Sequence, residues 1–211
     1  MSDSSTAEQQ NDNPFLNDVL TGLAQQQSEI PCQYLYDKRG SALFEQIGDT
    51  REYYVTRADL ALHREHLQAI ADCIGDQAHI IEFGSGAGLK TQLILSAARQ
   101  PRAYTPIEIS TETLTSSVSA LQQRFPKLDI QPVNADYTRD IPDEILDLKP
   151  PARRRVVYFP GSTISNFSHV QAQNFLARIR HMVGSDGGVL IGVDLIKPKA
   201  VLEAAYDDAA G

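Results

Sequence analysis

Four residues in one short stretch have the types and spacing to do chemistry. Glu82 closes an apolar run, His79-Ile80-Ile81, and Gly84, Gly86 and Gly88 follow at every second position before Lys90-Thr91. A continuous apolar run reads as a strand buried on both faces, as in a parallel sheet. The glycines read as the tight turn that leads from it into a helix. Without a Cβ, glycine backbone can approach a ligand closely and can take positive φ. The helix that follows offers free N–H groups in its first turn. Together these parts make a nucleotide-type cofactor site. The dinucleotide fingerprint, G-x-G-x-x-G, has a different glycine spacing.

An acid two residues before the first glycine gives E/D-x-G-x-G-x-G. That pattern is common among methyltransferases and favours S-adenosylmethionine, with Glu82 near its amino-acid end. Two further strand ends carry suitable groups. Ala103-Tyr104-Thr105-Pro106-Ile107-Glu108-Ile109 reads as a second strand, and Glu108 at its end can accept two vicinal ribose hydroxyls. Leu128–Val133 reads as a third strand, followed by Asn134-Ala135-Asp136-Tyr137. There the Asp136 carboxylate can accept from an adenine amine while the Tyr137 ring packs on the base.

The elements that must hold these groups alternate. Val156–Phe159 and Val189–Val193 read as a fourth and a fifth strand. The helix after the glycines carries Leu93, Ile94 and Ala97. Ser110 or Thr111 caps the next, with Leu114, Val118 and Leu121 inward. Ser168 with Gln171 opens another, running through Phe175, Ile179 and Met182. Alternating strands and helices predict an α/β fold, a doubly wound, mainly parallel sheet. The fourth and fifth strands end in Pro160-Gly161-Ser162-Thr163 and Asp194, at the edge where such sheets bind ligands.

Ahead of the first strand, Asn13-Pro14 is an N-cap with a first-turn proline. Ser41 is placed to cap a short helix through Phe44 and Ile47. Thr56-Arg57-Ala58-Asp59 is a capping-box pattern opening one helix with Leu60, Leu67, Ile70 and Ile74. The expected organisation is a disordered polar tail over 1–12, a helical lid over 13–76, and an α/β domain over 77–211 that binds S-adenosylmethionine.

Composition narrows the class. The 211 residues carry 19 Lys and Arg against 27 Asp and Glu, a net charge of −8. That balance disfavours nucleic-acid binding, which rewards a basic surplus. Arg153-Arg154-Arg155 reads as solvated residues ahead of a buried strand. No stretch approaches the ~20 apolar residues of a membrane span. The N-terminus lacks a signal-peptide pattern. Cys32 and Cys73 form neither a metal spacing nor a disulfide framework. A cytoplasmic protein without membrane or nucleic-acid partners is expected. His63 and His66 share a helix without further ligands, so no metal site is expected.

Several strings carry a more specific resemblance. They are Tyr36-Asp37-Lys38-Arg39-Gly40-Ser41-Ala42-Leu43-Phe44, Glu52-Tyr53-Tyr54-Val55-Thr56-Arg57, Glu82-Phe83-Gly84-Ser85-Gly86, Lys90-Thr91, Gly161-Ser162-Thr163-Ile164-Ser165-Asn166-Phe167 and Ala205-Tyr206-Asp207-Asp208. From about residue 30 onward the sequence resembles the ergothioneine-pathway histidine Nα-methyltransferases. The resemblance implies a Rossmann-like class I methyltransferase fold and three methyl transfers from S-adenosylmethionine to the α-amine of L-histidine, giving hercynine. It places cofactor contacts on Gly84, Lys90, Glu108, Asp136 and Tyr137, beside Glu82 and Gly86 of the loop. It places histidine contacts on Tyr53, Asn166 and Tyr206, with Tyr36 close to the amine; Tyr36 and Asn166 are the candidate catalytic residues. The family usually has Asp at the position of Glu108 and Phe at that of Tyr137, and both replacements keep the chemistry.

Family members are longer, and their additional C-terminal part grips the imidazole. The sequence is therefore expected to be a fragment of a longer protein or a shortened relative. Two other functions stay open: a methyltransferase of another small amine or amino acid, and a cofactor-binding or interaction module without activity. A dinucleotide oxidoreductase fits the glycine spacing poorly.

Overall fold

The computed structural model describes residues 13–86, 88–139, 141–142 and 146–208. The tail expected to be disordered, 1–12, lies outside them. Four helices precede the sheet: α1 (Pro14–Leu23), α2 (Lys38–Asp49), α3 (Val55–Glu65) and α4 (Leu67–Ile74). Then follow β1 (Ala78–Phe83), α5 (Leu89–Ala97), β2 (Ala103–Glu108), α6 (Thr111–Arg124), β3 (Val133–Asn134), β4 (Arg154–Phe159), α7 (His169–Val183), β5 (Gly188–Ile191) and α8 (Lys199–Tyr206). The strands form one sheet in the order β3-β2-β1-β4-β5, and every pairing is parallel.

Both faces of the sheet are covered. Ile80 of β1, Tyr104 of β2 and Tyr158 of β4 pack with Ile74, Ile94 and Leu121 from α4, α5 and α6. On the other face Ile81, Phe83, Val157 and Phe159 pack with Phe175, Ile179 and Met182 of α7 and with Leu146. Burial on both sides explains why β1 and β2 read as unbroken runs.

Several element starts match their sequence signals. Asn13 caps α1, Ser110 caps α6, and Ser168 with Gln171 forms a complete capping box on α7. Others differ. Asp37, not Ser41, caps α2, its carboxylate accepting from Gly40 N–H at 2.7 Å. Ser41 lies inside the first turn and donates to the Tyr36 carbonyl. Thr56 opens no capping box, because α3 begins at Val55 without a side-chain cap. The single long helix expected there is two, divided at His66. Ile74 of α4 thereby enters the sheet's own core.

The third strand is also shorter than expected. Tyr104 N–H donates to Asp129 O and its carbonyl accepts from Gln131 N–H, both at 2.9 Å. Pro106, two residues on, faces the same neighbour and has no N–H to continue the ladder. Pairing resumes only where Ile107 meets Val133 and Glu108 meets Asn134.

Gly40 positions one candidate residue. A Cβ there would lie 1.6 Å from the Leu35 carbonyl oxygen. Only glycine lets α2 pack this tightly on the 3₁₀ turn Cys32–Leu35, which delivers Tyr36 toward the strand ends.

Candidate functional site

The sheet reverses its strand order between β1 and β4, and ligand crevices of such sheets open at the carboxyl ends beside that point. The loop after β1 lies there. Gly84, Gly86 and Gly88 have φ of +68°, +49° and +73°, the left-handed region that glycine occupies without strain. Gly84 N–H donates to Ile107 O at 2.8 Å, tying the loop to β2. Added Cβ atoms at Gly86 and Gly88 would meet nothing within 4 Å. Room is therefore left beside both glycines, although Gly88 itself is buried.

Glu108 closes one side of this loop. One carboxylate oxygen accepts from Gly86 N–H at 3.2 Å and the other from Ser110 N–H at 3.1 Å. A carboxylate has about four acceptor positions, so two remain for ligand hydroxyls. Ser85 adds a buried hydroxyl with no hydrogen-bond partner among the described residues. An orphaned buried hydroxyl in a glycine loop fits a missing polar ligand. The sequence reading passed over Ser85, although it lies inside the glycine motif.

Asp136 and Tyr137 lie beyond β3. One Asp136 oxygen accepts from the backbone N–H and hydroxyl of Thr138, at 2.9 and 2.6 Å; the other pairs with Arg139 at 3.4 Å. Asp136 thus holds its own turn. The Tyr137 ring stacks on Phe83 with centroids 5.7 Å apart and comes within 3.4 Å of a Cβ placed on Gly84. Burial pushes its phenol well above the usual range, so it acts as a neutral surface.

Glu82, expected near the amino-acid end of a cofactor, lies beneath the loop and is 2 % exposed. Thr91 and Tyr104 hydroxyls both donate to one of its oxygens at 2.6 Å. Strand alternation turns it to the α5 face, so it braces α5 against β2 beneath the loop. Burial raises its pKa to about 7, against the pull of those two hydrogen bonds.

Lys90, in the first turn of α5, reaches back to the helical segment. Its ammonium lies 2.8 Å from Asp59. The same Asp59 oxygen accepts Gly161 N–H at 2.9 Å. His63 Nδ1 faces the Asp59 backbone carbonyl at 2.7 Å and its carboxylate at 3.2 Å. With Nδ1 carrying the hydrogen, Nε2 accepts from the Tyr158 hydroxyl at 2.7 Å. Burial alone would raise the Asp59 pKa, but His63 and Lys90 outweigh it and hold it at about 2. His63 is thus buried in a network while His66 is exposed at the helix break, and no group of metal ligands occurs among the described residues. Tyr158→Phe leaves His63 Nε2 unpaired inside the protein, and a loss of about 1–3 kcal/mol is expected in urea unfolding.

Three of the four candidate substrate residues come together. Tyr36 meets Phe44 edge-on at 5.8 Å, Phe44 meets Tyr53 at 6.2 Å, and Tyr53 meets Tyr206 at 5.6 Å. Tyr53 is buried while Tyr206 is 69 % exposed. The Tyr36 phenol is raised by burial first, then by its neighbours Cys32, Glu108 and Tyr206. Asn166 is exposed and ends the 3₁₀ turn Thr163–Asn166 that follows β4; it shares the strand-end edge with the cluster. Tyr54 donates to Asp194, and Asp194 N–H donates to Ser162 at 3.0 Å, so the helical segment is fastened to the ends of β4 and β5. No described helix is long and apolar enough to cross a membrane.

The comparisons with known proteins agree with this architecture. A family model described as histidine-specific methyltransferase, SAM-dependent, matches residues 15–211. The histidine N-alpha-methyltransferase of Mycolicibacterium smegmatis is 34 % identical over 197 residues, 92 % of this chain and 60 % of that protein. Ergothioneine biosynthesis protein 1 of Neurospora crassa is 30 % identical over 190 residues, 87 % of this chain and 21 % of that protein. An S-adenosylmethionine-dependent methyltransferase from Clostridium acetobutylicum shares the fold with a TM-score of 0.50 at 12 % identity, over 71 % of this chain and 56 % of that one. The chain spans about 60 % of the length of the mycobacterial relatives it matches. By the extent of the family match, nearly the whole of its length, the chain belongs to the histidine-specific, S-adenosylmethionine-dependent methyltransferase family.

Proposed function

We propose that the strand-end face catalyses methyl transfer from S-adenosylmethionine to the α-amine of L-histidine, giving N,N,N-trimethylhistidine. The observation that carries this reading is the position of Tyr36. Its ring is joined through Phe44 to Tyr53 and Tyr206 on the amino-acid side, and Glu108 on the cofactor side is among the groups that raise its phenol, after burial. Two half-sites therefore share one edge of the sheet, as direct transfer between two bound molecules requires. The name of the mycobacterial relative supplies the substrate.

In this reading Gly84 and Gly86 admit the cofactor to the loop, Glu108 takes the ribose hydroxyls, and Asp136 takes the adenine amine above Tyr137. Lys90 takes the cofactor carboxylate. S-adenosylmethionine supplies a methyl group on a sulfonium. The chain's own residues align the amine. Tyr53, Tyr206 and Tyr36 are neutral hydroxyls that hold an amino acid without adding positive charge beside the sulfonium. The Asn166 side-chain oxygen accepts from the amine N–H. An α-amine is deprotonated near pH ~8, so alignment does most of the work and no strong base is needed. Residues 13–76 serve as the lid and 77–211 as the cofactor-binding domain. The free Cys32 and Cys73 suit the reducing cytoplasm.

The test is incubation with methyl-labelled S-adenosylmethionine and a panel of amino acids, read by mass spectrometry. Mono-, di- and trimethylated histidine are expected. Preferred methylation of another amino acid would replace the substrate assignment. Asp136→Ala is expected to weaken S-adenosylhomocysteine binding by about 1.5–3 kcal/mol, the scale of a hydrogen bond to a charged acceptor. An unchanged dissociation constant would leave Asp136 as a turn residue.

A further inference from the structure

We propose that Asp59 is a positioning residue for the amino-acid end of the cofactor, acting through Lys90; the inference rests on the cofactor reading above. Asp59 belongs to α3, Lys90 to α5, and Gly161 to the tip of β4. One oxygen of Asp59 joins all three, at 2.8 Å to the Lys90 ammonium and 2.9 Å to Gly161 N–H. A flexible four-carbon stem gives lysine many rotamers, and fixing one costs entropy. Here the ammonium is fixed before any ligand arrives. It has three N–H donors and Asp59 uses one, so two remain for a carboxylate.

The surroundings preserve that niche. Gly161 has φ of +77°, and a Cβ there would lie 3.2 Å from the Lys90 nitrogen. Any other residue at 161 would crowd the ammonium. Asp59 is itself pinned from behind by His63, which Tyr158 holds in turn. Asp59 is an anion, so it would repel a ligand carboxylate placed directly against it. Its use is to hold the cation that receives the ligand and to draw the β4 tip to the same point.

The experiment compares two ligands by calorimetry. S-adenosylhomocysteine carries the amino-acid end; 5′-methylthioadenosine shares its adenosine and sulfur but lacks it. Asp59→Asn keeps the shape and removes the charge. It is expected to weaken S-adenosylhomocysteine binding about tenfold, the scale of one charge-assisted contact, and to leave methylthioadenosine affinity unchanged. Lys90→Gln should show the same selectivity, and adding Asp59→Asn to it should cost little more. If Asp59→Asn does not fold, Asp59→Glu replaces it, with a smaller loss of the same selectivity expected. Equal weakening of both ligands, full retention of S-adenosylhomocysteine affinity, or additive losses in the double variant would each overturn the proposal. If the unaltered, folded chain bound neither ligand, the cofactor reading itself would fall, a result distinct from the other three.

Discussion

Gly84→Val is expected to abolish S-adenosylhomocysteine binding while the chain keeps its far-ultraviolet circular dichroism. At φ +68° a side chain already costs roughly 1–2 kcal/mol, and a β-branched one is the least tolerant. A Cβ at this position meets the Tyr137 ring at 3.4 Å, so valine's γ-carbons must displace the surface proposed to carry adenine or fill the ligand's space above it. No heat of binding is expected up to millimolar ligand. Gly84→Ala adds a single carbon at the edge of van der Waals contact and should retain weak binding. Equal affinities for the unaltered protein and the valine variant would place the ligand elsewhere.

The second large effect concerns Glu82 and stability. Its pKa rises from the ordinary 4.5 to about 7 because burial disfavours the charged form. Below pH ~4.5 both folded and unfolded chains are protonated at this group. Between ~4.5 and ~7 the unfolded chain releases the proton and the folded chain keeps it, so stability falls as pH rises. Above ~7 both are ionised and the penalty stays constant. Its full size is about 3 kcal/mol. Glu82→Gln should remove this slope, since an amide oxygen can still accept from Thr91 and Tyr104 and does not ionise. Urea midpoints of the two proteins from pH 5 to 8 should diverge, with Glu82→Gln gaining relative stability as pH rises. Parallel curves would show that Glu82 ionises normally and that its two hydrogen bonds offset its burial.

The sheet was largely legible in the sequence. A strand buried on both faces must be apolar at nearly every position, and β1, β2 and the Val156–Phe159 part of β4 advertise themselves in that way; β5 reads as an apolar run although Val189 is 44 % exposed. The third strand was misread because its length depends on its neighbour: Pro106 of β2 lacks the N–H that pairing beyond Tyr104 requires. Helix starts with a side-chain oxygen bonding its own first turn, at Asn13, Ser110 and Ser168, were also legible. At α2 the cap was read at Ser41, but the helix starts four residues earlier, at Asp37, where Gly40 closes tightly on Leu35. The break at His66 leaves no local mark.

The site shows the same division. The glycine loop and Glu108 are local features of strand ends, visible as spacing. The direction in which Glu82 points follows from strand alternation, which the motif does not state. The Asp59 network joins residues 31 and 102 positions apart, and nothing in the local sequence of any partner foretells it. Tyr36, Tyr53 and Tyr206 were reached through resemblance, since three tyrosines in separate segments carry no pattern of their own.

The central claim is that this strand-end face binds the cofactor and an amino acid side by side. Calorimetric titration of the unaltered chain with S-adenosylhomocysteine, followed by L-histidine into the saturated protein, tests it most directly. Saturable binding of one S-adenosylhomocysteine per chain is predicted, with histidine binding more tightly to the saturated protein than to the free one. No binding of S-adenosylhomocysteine up to millimolar concentration, by a sample whose circular dichroism shows it folded, would contradict the account.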